Sequence, residues 1–173
     1  MISGKEKSFK VFEDDKVIAV LHNEPAGQGH LLLFGKEHSP IIETIHDSLL
    51  GHMFNVANKL STVVFEKMNA QGTNILINNG VAAGQELNHF TINVIPRWQN
   101  DGLNFDWMPK KQSDDEMSTA ALLLNENTKD ITVEKEKKTE VIEERAPEKI
   151  EQVKKTDEKG VENYLIRQLD RLP

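Results

Sequence analysis

Residues 84–97, GQELNHFTINVIPR, decide how this chain is read. A strand points alternate side chains to opposite faces. His89, Thr91 and Asn93 are therefore expected on one polar face, with Phe90, Ile92 and Val94 on an apolar one. Such a strand buries one side in a core and offers the other to a ligand. The loop ahead of it supplies Asn78, Asn79, Gly80 and Gly84, residue types that let backbone approach an anion closely; a plain turn has the same composition.

Working outward, residues 7–21 read as a hairpin, with Glu13-Asp14-Asp15 as its turn between two apolar runs. Gly29 to Lys36 and Gly72 to Asn78 read as two further strands. Between them a long amphipathic helix is expected. Ser39 is its cap and Pro40 lies in its first turn, with Ile42, Ile45, Leu49, Met53, Val56, Leu60, Val63 and Val64 at steps of three and four. His46 and His52 on that helix read as surface or packing residues. After Arg97, taken as a strand-end charge, Phe105 and Trp107 are expected to pack on the sheet.

A capping-box pattern at Ser113 and Glu116 predicts a short helix, with residues 110–124 as a helical extension of a 1–109 domain. Residues 125–160 are dominated by Lys and Glu, and burial there cannot offset the entropy of ordering, so a flexible charged linker is expected. Residues 161–173 place Val161, Tyr164, Leu165, Leu169 and Leu172 on one stripe, as in a short amphipathic helix that docks on its own domain or on a partner.

Composition narrows the function. The chain has 173 residues, a net charge of −7 and no cysteine. Disulfides and thiolate zinc sites are excluded. Acidic residues outnumber basic ones on both sides of Pro109, which argues against electrostatically driven nucleic-acid binding. No secretory signal or membrane-length apolar run is visible, so a soluble cytoplasmic protein is expected. The histidine spacing matches no compact metal motif, and neither metal nor cofactor is expected.

Gly84, Gln85, His89, Pro96 and Arg97 together resemble the histidine triad (HIT) superfamily, whose signature is a Gly-Gln pair followed by three alternating histidines and often a Pro-Arg ending. In that resemblance Thr91 stands where the family places its nucleophilic middle histidine, and Asn93 where it places the third. Residues 25–38, PAGQGHLLLFGKEH, resemble the family pattern too, with His30 and His38 at its histidine positions. His22 falls where an acidic or amide residue usually contacts the ribose.

The resemblance spans residues 9–109. It implies an α+β fold with a mainly antiparallel sheet and one long helix, and a two-fold dimer. It also implies a ligand site made of His22, His30, His38, Asn78, Gly84, Gln85, His89, Thr91 and Asn93.

An alcohol needs an adjacent base before it can attack phosphorus, so the expected function is nucleotide or nucleoside phosphate binding with impaired or absent hydrolysis. Two alternatives stay open. One is an active phosphoesterase or nucleotidyl hydrolase using His89 as nucleophile or base. The other is an interaction protein acting through its C-terminal tail.

Overall fold

The computed structural model describes residues 8–129 and 131. The chain divides into two units, Met1–Phe105 and Asp106–Pro173. In the first lie strands β1 (Lys10–Glu13), β2 (Val17–Leu21) and β3 (Leu31–Gly35), helix α1 (Asp47–Met68), and strands β4 (Gly72–Leu76) and β5 (Thr91–Arg97). They form one antiparallel sheet in the order β1-β2-β3-β5-β4. The fold is the expected α+β one.

The apolar pattern explains the layers. Met53, Val56, Ala57, Leu60 and Val64 bury one stripe of α1 against Val17, Ala19, Leu31, Leu33, Ile92 and Val94 of the sheet. Met53 is wholly buried, and truncating it to alanine costs about 2–5 kcal/mol. Strand β3 is apolar on both sides: Leu32 and Phe34 pack with Val20 on the face away from α1. Opposed residues of an antiparallel pair share a face. The registers Leu32↔Asn93 and Phe34↔Thr91 therefore place Thr91 and Asn93 on that second face.

Two polar devices hold the hairpin. Asp14 Oδ1 accepts from the backbone N–H groups of Lys16 and Val17, both at 2.8 Å, while its Oδ2 meets His52 Nε2 of α1 at 2.7 Å. His52 is thus a satisfied packing residue, as its sequence context suggested. Glu13 bridges Lys10 and Lys36, and these ammonium groups hold its carboxyl down to about 2.

Four expectations need correction. Helix α1 begins at Asp47 with His46 as its cap, not at Ser39 and Pro40. Residues 39–45 hold only a single 3₁₀ turn, Ile42–Thr44, because their backbone is bonded elsewhere. Ser39 O accepts from Phe90 N–H at 2.6 Å, Ile42 N–H donates to Asn79 Oδ1 at 3.1 Å, and Pro40 O accepts from Gln85 Nε2 at 2.7 Å.

Strand β5 begins at Thr91, two residues after His89. With its N–H committed to Ser39, Phe90 makes no ladder bond, and the chain joins the sheet only at Thr91. Trp107 is 84% exposed, so it is not a core residue, and Phe105 is 41% exposed. Phe105 instead lies over the Arg97 guanidinium, 5.2 Å from its carbon to the ring centre.

Gly29 (φ 78°) sits where a side chain is excluded twice over: a Cβ would strike Met68 Sδ, and would lie 3.3 Å from Pro96 Cγ. In the second unit, helix α2 (Asp114–Asn127) opens on the capping box, with Ser113 Oγ accepting from Glu116 N–H and Glu116 Oε2 accepting from Ser113 N–H. It takes in Asn125–Asn127, which the composition assigned to the linker; Asn127 Nδ2 donates to Leu123 O at 2.8 Å. The rest of the expected linker beyond residue 131, and the terminal helix, lie outside the described residues.

Candidate functional site

The sheet face opposite α1 carries a cavity of about 360 Å³, inside the roughly 300–1,000 Å³ range of small-ligand clefts. Leu32 and Ile95 form part of its floor, and Thr91 and Asn93 rise from β5 beside them. His22 and His30 bound one side. Asn78, Gly84 and Gln85 bound another, on the loop after β4. Of the nine candidate residues, seven therefore surround one space, while His38 and His89 do not line it.

Backbone groups fix the protonation of the rings, because an N–H can only donate and a C=O can only accept. Ala26 N–H donates to His30 Nδ1 at 3.1 Å, so the His30 proton resides on Nε2. Nε2–H then donates to Asn93 Oδ1 at 3.0 Å, and Asn93 Nδ2 is left to donate, one hydrogen reaching Leu76 O at 3.4 Å. Glu24 N–H donates to His22 Nδ1 at 2.9 Å, and the His22 ring stacks on His30 with centres 4.6 Å apart. Burial lowers the pKa of His30 below its ordinary value, partly opposed by the Asn93 bond.

Outside the cavity, His89 is buried against Phe34. Its Nε2–H donates to Gly35 O at 3.0 Å, which leaves Nδ1 to accept from His38 Nδ1–H at 2.9 Å. Both nitrogens are in use. Burial lowers the pKa of His89 as well.

Gln85 braces the site: its Oε1 accepts from Gly80 N–H at 2.8 Å, and its Nε2 donates to Pro40 O and Leu87 O, both at 2.7 Å. Gly80 and Gly84 have positive φ of 87° and 84°, which their residue type permits, and Gly84 is left-handed. Asn78 Nδ2 closes the loop by donating to Gly84 O at 3.1 Å.

Arg97 is the strand-end charge the sequence suggested. It forks onto Asp101 through Nε (2.6 Å) and Nη2 (2.9 Å) and donates to Asn74 Oδ1 and Leu103 O. This guanidinium holds the Asp101 carboxyl well below the usual carboxylate range. Among the described residues, no lysine or arginine lines the cavity, whereas Glu24 and Glu86 do. These two, with Phe105 on the wall, were missed by the sequence reading; they sit in loops with no periodicity to read. No group of three or more metal-ligating side chains occurs among the described residues, and no helix there is long and apolar enough to cross a membrane.

A five-stranded antiparallel sheet backed by one helix, with a polar cleft at its centre and a Gly-Gln loop on the rim, defines a class of small α+β domains. The HIT domain model matches residues 3–100, and the chain belongs to the HIT family. It is 33% identical over 103 residues to an adenylylsulfatase of Arabidopsis thaliana, covering 60% of this chain and 52% of that one. It is 31% identical to an adenosine 5'-monophosphoramidase of Candida albicans, covering 62% and 74%. The chain thus spans about half the length of the plant relative.

Solved structures agree. A HIT family member from Bacillus subtilis superposes with a TM-score of 0.66 at 27% identity, over 73% of this chain and 92% of that one. A histidine triad nucleotide-binding protein from Candida albicans gives 0.63 at 29%, over 72% and 91%.

Proposed function

We propose that this HIT protein binds a nucleotide or nucleoside phosphate in the cavity and turns it over slowly or not at all. The observation that carries this reading is the isolation of the Thr91 hydroxyl. It lines the cavity, yet none of His22, His30 and His89 keeps a ring lone pair free for its proton, His22 Nδ1 accepting from Glu24 N–H. His30 Nδ1 is taken by Ala26 N–H and its Nε2 bears the proton donated to Asn93. His89 is spent on Gly35 and His38. Losing the principal nucleophile of such a constellation costs on the order of 10⁴- to 10⁶-fold in turnover, and an alcohol without a base does not replace it.

Hydrolysis through His89 would require the ring to leave a buried carbonyl and enter the cavity. Calorimetric titration with AMP, ADP and diadenosine phosphates tests the proposal. Saturable heat with turnover at background supports it, and no heat at millimolar ligand overturns it.

Two further parts of the proposal concern assembly and setting. Among the described residues β4 pairs only with β5 and leaves its other edge free, beside exposed Ile75. Such an edge is a ready template for a second chain, which supports a two-fold homodimer, to be checked by sedimentation. A cytoplasmic setting is a separate part of the proposal.

A partner protein for the C-terminal region is the second reading. It is favoured by Leu122, Leu123 and Leu124, which are all exposed on α2. Deleting residues 110–173, which removes α2 and everything after it, should then abolish complex formation while unit one stays folded, and pull-downs unchanged by the deletion would end the idea.

A further inference from the structure

Resting on the nucleotide reading, we propose that His30 is a positioning residue that turns Asn93 into a hydrogen-bond donor for an anionic oxygen of the bound phosphate. The chain of reasoning begins at a group with no choice. Ala26 N–H can only donate, and it points at His30 Nδ1 from 3.1 Å. His30 must then carry its proton on Nε2, where the partner it meets among the described residues is the Asn93 side chain at 3.0 Å.

A donor there selects the amide oxygen, so Asn93 is locked with Oδ1 toward His30 and Nδ2 away from it. One Nδ2 hydrogen reaches Leu76 O at a long 3.4 Å. The other faces no partner among the described residues. Two residues along the same strand face, the Thr91 hydroxyl also lines the cavity.

The cavity thus offers a phosphate these two neutral donors, and among the described residues no lysine or arginine lines it. Reversing the Asn93 amide would replace that donor with an acceptor oxygen and repel the ligand. His30 is 5% exposed and its hydrogen bonds face protein on both sides, so it acts through Asn93 and not by touching the phosphate.

The test uses the full chain. Long-range ¹H–¹⁵N spectra of the ligand-free protein report the His30 tautomer directly, and titrations with AMP and adenosine compare wild type with Asn93→Asp. That variant keeps an acceptor for His30 and the same shape, but loses the donor and gains a charge.

The expected results are a proton on His30 Nε2, a fall of about tenfold or more in AMP affinity, and little change for adenosine, which has no phosphate. A proton on Nδ1, or an AMP affinity equal to wild type in Asn93→Asp, overturns the inference and leaves the nucleotide reading standing. Failure of the wild-type protein to bind either probe overturns the nucleotide reading itself.

Discussion

His38 Nδ1 and His89 Nδ1 lie 2.9 Å apart, close enough that only one proton fits between them. Gly35 O claims the Nε2 proton of His89, so the shared proton belongs to His38. This pair ties the end of β3 to the residues that lead into β5. It turns two residues of the family pattern into a brace, set apart from the cavity they were expected to line.

Acid should loosen the protein. His89 and His30 are both held neutral by burial, with pKa values below the ordinary 6.5. Above 6.5 the folded and unfolded states carry the same protons on these rings, and this contribution to stability is complete. As the pH falls below 6.5, the unfolded chain takes up protons the folded one refuses. Stability then declines until the depressed folded values are passed, by up to about 1.4 kcal/mol per pH unit for each ring. Urea midpoints measured from pH 7.5 to 5 should fall, and a flat profile would contradict the neutral-ring assignment.

Replacing His89 by alanine should act on the fold and not on catalysis. The change leaves the Gly35 carbonyl without its partner inside the protein, a loss of about 1–3 kcal/mol, readable by chemical denaturation. Nucleotide turnover should be at the same background in both proteins. A wild-type rate well above that of His89→Ala would revive the hydrolase alternative.

Thr91→His puts an imidazole where the family resemblance locates the nucleophile. Adenosine phosphoramidate cleavage should rise at least about tenfold over wild type, far short of the 10⁴- to 10⁶-fold such a group is worth in an intact constellation. No adduct and no gain in rate in a folded Thr91→His protein would mean that position 91 does not face the reacting phosphorus.

The Arg97 fork predicts a structural phenotype. Arg97→Ala should lower Tm by several degrees, since Asp101, Asn74, Leu103 and Phe105 all lose a partner. Lysine at 97 should not restore it, because an ammonium cannot make the planar two-pronged contact. AMP affinity in a protein that remains folded should stay near wild type. A selective loss of phosphate binding would assign Arg97 to the site after all.

Much of the fold was legible because its signals are local. The apolar run Val17–Leu21 and the 3–4 spacing from Met53 to Val64 survive in any context, and the Ser113–Glu116 box needs only four residues. The start of α1 was misread for a non-local reason: Ser39, Pro40 and Ile42 bond to Phe90, Gln85 and Asn79, partners far along the chain. His89 was misplaced by the same contacts, since the period-2 pattern of residues 89–94 gives no hint that Phe90 is claimed by Ser39. Thr91 and Asn93 were placed correctly because they sit inside the strand, where the period holds. Glu24, Glu86 and Phe105 reach the cavity from irregular loops, where no spacing rule applies.

The side chain of Gln85 joins three separate backbone segments through one amide. Such economy leaves the loop exposed to chemical ageing. Hydrolysis of that amide to a carboxylate exchanges a single nitrogen for oxygen, yet the new atom would confront the Pro40 and Leu87 carbonyl oxygens with no hydrogen to share. A lesion too small to notice by size would undo the rim of the cleft from its midpoint, before the sheet beneath felt any change.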